Sequence, residues 1–154
     1  MARRSTKSAF IKRGMGTAEA LCRQRRVRLT PVRRRVLELV LMSGKPIGAY
    51  KLLQALRDDG YSDAPPTVYR ALEFLLAHGL VHRISKSNTF VACAHPGLDH
   101  YGLILLCRQC GGAVELEQQQ IIDGIDRCAD GLGFDIVSQV LEVEGTCRSC
   151  KSAS

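Results

Sequence analysis

Two closely spaced cysteine pairs near the end of this 154-residue chain, Cys107-Arg-Gln-Cys110 and Cys147-Arg-Ser-Cys150, constrain its fold most. Two residues between cysteines let one tight turn aim both sulfurs at one point. Two such knuckles supply the four tetrahedral ligands of a closed structural zinc site. A single pair would equally fit a redox dithiol, and paired disulfides are the other alternative. The seven cysteines are odd in number, and no apolar leader follows the basic start of the chain. Both observations favour a reducing cytoplasm and metal thiolates over a disulfide framework. No apolar run approaches the roughly 18 residues of a membrane span.

Charge divides the chain in two. Residues 1–85 carry 17 Lys and Arg against 6 Asp and Glu, whereas residues 86–154 carry 5 against 9. A basic half joined to an acidic half points to a polyanionic partner for the first, nucleic acid above all. A solvated basic face is the plainer alternative.

Residues 1–16 are basic and acid-free and lack a sustained apolar period. They read as a mobile arm, with an organelle transit peptide as the alternative. A short helix is expected over 17–26, with Ala18, Leu21 and Cys22 inward. Thr30-Pro31 caps and opens a second helix, whose Val32, Val36, Leu37, Val40 and Leu41 recur at helical spacing up to Gly44. A third is expected over 49–59, burying Leu52, Leu53 and Leu56. A fourth starts at Pro65-Pro66-Thr67 and carries the stripe Val68, Leu72, Leu75 and Leu76, with Thr67, Tyr69, Arg70 and Glu73 toward solvent. Strands over 80–84 and 89–93 flank the turn Ser85-Lys86-Ser87-Asn88.

Three helices and a hairpin are the order of a winged helix-turn-helix. The generic alternative is an α+β domain with an exposed hairpin. A hinge follows over 94–100. Strands over 101–106 and 113–116, a helix over 118–132 and a strand over 136–143 then form a βαβ-like unit that metal closes. Its core is thin and its strand edge open, which suggests dimerisation. The fold class is thus α+β. A basic arm covers 1–16, an N-terminal winged-helix DNA-binding domain 17–93, the hinge 94–100, and a C-terminal α/β dimerisation and zinc domain 101–154.

Several of these segments resemble the ferric uptake regulator family of metal-dependent repressors. They are Arg28-Leu29-Thr30-Pro31, Thr67-Val68-Tyr69-Arg70-Ala71-Leu72 and the two knuckles. The likeness spans about residues 18–150. The run Pro65 to Leu76, then Gly79-Leu80-Val81-His82 and Cys93, is most similar to the zinc-sensing branch. The resemblance implies a homodimer that binds operator double-stranded DNA, represses zinc uptake genes and holds two Zn²⁺ per chain. One zinc is structural, on Cys107, Cys110, Cys147 and Cys150. The other is sensory, on His82, Cys93, His100 and Glu115. Two nitrogens, one thiolate and one carboxylate suit zinc, and the soft Cys93 argues against an iron, manganese or peroxide sensor on the same scaffold. His95 competes for the fourth position. His78 reads as a helix cap, and Cys22 and Cys128 as core.

Arg70, on the fourth helix, is expected to read a base, since Arg pairs bidentately with guanine for about 1–3 kcal/mol of discrimination. Tyr69 and Thr67 lie beside it. Tyr50 resembles a family position that contacts DNA, and Arg28 and Lys86 are expected at phosphates. A thiol-disulfide enzyme would need its CxxC opening a helix, whereas Cys107 follows a strand. A zinc-ribbon adaptor would not need the basic helical half. No catalytic triad, phosphate-binding loop or dinucleotide fingerprint appears, so no enzyme is expected.

Overall fold

The computed structural model describes residues 2–61, 64–97, 102–137 and 139–152, with residues 2–6 as backbone only. The chain forms two compact units, residues 1–98 and 99–154.

The first unit is built from α1 (Ala2–Gln24), α2 (Pro31–Ser43), β1 (Ile47–Gly48), α3 (Ala49–Asp58), α4 (Pro65–Ala77), β2 (Val81–Ile84) and β3 (Thr89–Ala92). Thr30 caps α2: its backbone is extended and its hydroxyl accepts from the Arg33 amide at 3.4 Å. Gly44, at φ 62°, ends the same helix in the left-handed conformation that favours glycine. The stripes read from the sequence meet in one core. Val36, Leu37, Val40 and Leu41 of α2, Leu52 and Leu56 of α3, and Val68, Leu72 and Leu75 of α4 are all buried. β2 and β3 form the antiparallel wing, with His82 opposite Val91.

β1 has no counterpart in the sequence reading. Ile47-Gly48 is too short to show a period, and only its pairing with Phe90 and Thr89 makes it a strand. The sheet order is β1-β3-β2.

The expected mobile arm is a correction. The backbone is helical from Ala2, and the helix expected from Thr17 forms the last turns of α1. No proline interrupts the segment, and Ile11, Met15, Ala18 and Cys22 recur at helical spacing along the side that joins the core. Gly14 lets α1 approach α2 closely, since a Cβ there would lie 2.9 Å from Leu41 Cδ2.

The second unit holds β4 (Gly102–Cys107), β5 (Ala113–Leu116), α5 (Gln119–Gly131), β6 (Val140–Gly145) and α6 (Arg148–Lys151). β4 is central, antiparallel to β5 and parallel to β6. The last strand was expected over 136–143, but pairing with β4 shifts it to 140–145, and Val137 is 97% exposed outside it. Cys128, read as core, is also a correction, because it is exposed. Ile122 is the buried residue of α5. Cys128 follows six positions later, about 120° around the helix from it.

Among the described residues of this unit few side chains are buried, chiefly Leu103, Ile104, Cys107 and Ile122. Leu105 lies opposite both Val114 and Val143, and all three are exposed. Among the described residues, no helix is long and apolar enough to cross a membrane.

Candidate metal centres and nucleic-acid interface

The hairpin between β4 and β5 builds the first knuckle. Cys107 N donates to Gly112 O at 2.8 Å and Gly111 N to Cys107 O at 2.9 Å. Gly111 has φ 67°, which a side chain would strain. The second knuckle follows β6 and turns into α6, with Cys150 N donating to Cys147 O at 3.1 Å. Because β6 lies parallel to β4, pairing Cys107 with Gly145, the two knuckles arrive at the same end of the sheet. One ligand atom from each of Cys107, Cys110, Cys147 and Cys150 lies within 4.8 Å of the others.

This donor set fits zinc. Four sulfurs about 2.3 Å from a tetrahedral ion stand about 3.8 Å apart. Cys110 Sγ and Cys147 Sγ are 3.8 Å apart. Backbone hydrogen bonds prepare the thiolates. The Cys110 and Cys147 amides, opposed by burial, hold Cys107 down at about 6. The Ser149 hydroxyl and the Cys150 amide lower Cys147. Cys150 is pushed up to about 12, first by Cys147 and then by burial. Cys107 is thereby ready to bind as a thiolate, whereas Cys150 keeps its proton until a cation displaces it.

In the first unit, His82 on β2 and Cys93 just after β3 are neighbours across the wing. Cys93 N donates to Leu80 O at 3.0 Å, and the two ligand atoms lie within 4.8 Å of each other. Cys93 is buried and His82 half-buried. In the second unit Glu115 lies on β5 opposite Ile104 and is half-buried. His100 lies outside the described residues. His95 is exposed. His78 is the C-cap of α4, and its carbonyl accepts from Arg25 Nη1 at 2.9 Å. Cys22 is buried in the core, and burial raises its thiol.

The candidate nucleic-acid face lies on α3, α4 and the wing. Tyr69 and Arg70 are exposed on α4, and Thr67 is half-buried in its first turn. Tyr50 is 72% exposed in the first turn of α3. Lys86 is exposed at the wing turn. Arg28 is also exposed, its carbonyl accepting from Arg33 Nη1 at 2.7 Å.

Sequence reasoning missed Arg83, whose Nε donates to Asn88 Oδ1 at 3.0 Å across the wing. Asn88 sits at φ 49°, and the turn-forming Ser-Lys-Ser-Asn run was the available signal. It also missed the brace from Arg35 on α2 to Asp59, the C-cap of α3, at 2.6 Å, with Glu38 of the same helix as Arg35 at 2.7 Å.

A winged helix-turn-helix followed by a small sheet with a four-cysteine cluster is the architecture of a metal-dependent DNA-binding regulator. Residues 24–144 match the ferric uptake regulator family, and the chain belongs to it. The zinc uptake regulation protein of Escherichia coli K12 is 38% identical over 137 residues, 88% of this chain and 80% of that protein. A solved zinc uptake regulator complexed with zinc and DNA is 36% identical with a TM-score of 0.88, covering 93% of this chain and 96% of that one. The crystal structure of holo XcZur is 45% identical with a TM-score of 0.83, covering 90% and 96%.

Proposed function

We propose that this chain is a zinc-responsive transcriptional repressor. As a zinc-loaded homodimer it binds operator double-stranded DNA and controls zinc uptake genes, and it works in the cytoplasm. The observation that carries the reading is its likeness, along almost its whole length, to a zinc uptake regulator solved with zinc and DNA. The family consists of regulators rather than enzymes, and DNA binding, not catalysis, is the activity proposed.

Zinc fills two roles. The four cysteines hold a structural ion that staples a unit with too few buried side chains to stand alone. A second zinc binds His82, Cys93, His100 and Glu115. Support for that set comes from the proximity of His82 and Cys93 and from the thiolate, which suits zinc better than the harder ions of iron or manganese sensors. Its ligands come from both sides of the 94–100 hinge, so filling it leaves the chain fewer hinge angles. Operator binding and zinc binding then reinforce each other equally, typically by about 1–3 kcal/mol.

Pairing through the second unit is supported by the exposed apolar row Leu105, Val114 and Val143. The dimer presents two α4 helices about one DNA turn, roughly 34–36 Å, apart. Arg70 reads a base in the major groove, flanked by Tyr69 and Thr67. Tyr50 contacts the duplex from α3, and Arg28 and Lys86 neutralise phosphates.

The test is metal content with operator binding, measured before and after mild chelation. Two zinc per chain, one labile and required for binding, is the expected result. One tight zinc with metal-independent binding would remove the sensor. Cys93→Ser is expected to keep a folded dimer and its structural zinc while losing zinc-dependent binding. A normal zinc response from that variant would displace the sensory assignment.

A further inference from the structure

Tyr50 is a large side chain left 72% exposed, yet it is not without a partner. One helical turn further along α3, Gln54 Nε2 donates to the Tyr50 hydroxyl at 3.3 Å. A phenol has one proton to give and two lone pairs to fill. With an amide N–H on one lone pair, the proton is left to point away from α3. Donation into the oxygen also polarises the O–H and strengthens it as a donor. An amide at position 54 can hold this polarity. A carboxylate there could only accept and would take the proton for itself.

We propose that Gln54 sets the polarity of Tyr50 and makes its phenol a hydrogen-bond donor toward an acceptor on the operator. The inference rests on the DNA-binding reading above. DNA offers such acceptors at purine N7 in the major groove and at every phosphate oxygen. The amino groups of adenine and cytosine present donors instead. Tyr50 held this way therefore discriminates by polarity and not by shape. Gln54 is a positioning residue that acts through Tyr50 and needs no DNA contact of its own.

The experiment uses the zinc-loaded full chain and an operator selected by it from random duplexes. Purines are replaced one at a time by 7-deaza analogues, and phosphates one at a time by neutral methylphosphonates. Affinities are measured for the natural chain, Tyr50→Phe, Gln54→Glu and Gln54→Lys. One replacement is expected to weaken the natural chain about fivefold to tenfold, the worth of one hydrogen bond, and to leave Tyr50→Phe unaffected.

Gln54→Lys is expected to keep that ratio, because an ammonium can only donate to the phenol. Gln54→Glu is expected to abolish it. Overall charge effects cancel in the ratio, which a merely structural role for Gln54 would not move. Which of the two replacement series responds identifies the acceptor as base or phosphate. If no replacement separates the natural chain from Tyr50→Phe, or if Gln54→Glu keeps the ratio, the proposal falls and the repressor reading stands. If the zinc-loaded chain selects no duplex, both fall.

Discussion

His78 shows how one residue carries a pH dependence into the fold. Burial, then Arg25 and Arg33, hold its imidazole below the ordinary value of 6.5. Phe74 lies between them, its ring 4.3 Å from that of His78 and 3.8 Å beneath the Arg33 guanidinium. A histidine lowered in the folded state binds fewer protons there than when unfolded. Its neutral form is therefore tolerated fully above about pH 6.5, and stability is lost as pH falls below that value. Chemical unfolding of the metal-loaded chain across pH 5 to 8 should show this slope, and His78→Gln should flatten it. Thr30 gives a second measurable residue. Thr30→Ala removes the hydroxyl cap of α2 and should cost about 1 kcal/mol in the same unfolding experiment.

Elements with their own punctuation were legible; those that depend on a partner were not. α2 and α4 stand where Thr30-Pro31 and Pro65-Pro66 place them, and their buried faces follow helical spacing. β1 exists because β3 lies beside it. The first half of α1 carries so many charges that its apolar positions do not stand out until α2 offers them a surface. Gly14 makes that docking testable. Gly14→Val would push its branched side chain into buried Leu41, already 2.9 Å from an added Cβ. Overpacking of this kind costs about 1–3 kcal/mol. Amide exchange should show α1 loosened and α3 and α4 still protected.

Across the whole molecule, apolar packing is divided unequally between the two units. Among the described residues, the first unit has a continuous apolar core, whereas the second buries few side chains. Cys147→Ser, or chelation strong enough to empty the four-cysteine site, should therefore unfold the second unit and leave the first folded. Exchange protection lost over 102–152 and retained in α2, α3 and α4 is the expected pattern. Uniform loss, or none, would mean that zinc is not the staple.

The four cysteines that cluster were visible in the chain itself, because coordination chemistry restricts residue type and spacing, and CxxC repeated twice meets both restrictions locally. Helix caps and stripes were visible for the same reason: each is decided within a few residues. Tertiary structure alone decided that the two knuckles meet, since they are brought together by the parallel pairing of β4 with β6. It alone left Cys128 in solvent, and it shifted the last strand to the register of its partner. Pairing and burial depend on which distant surface arrives. Local periodicity records only which surfaces are available to be covered.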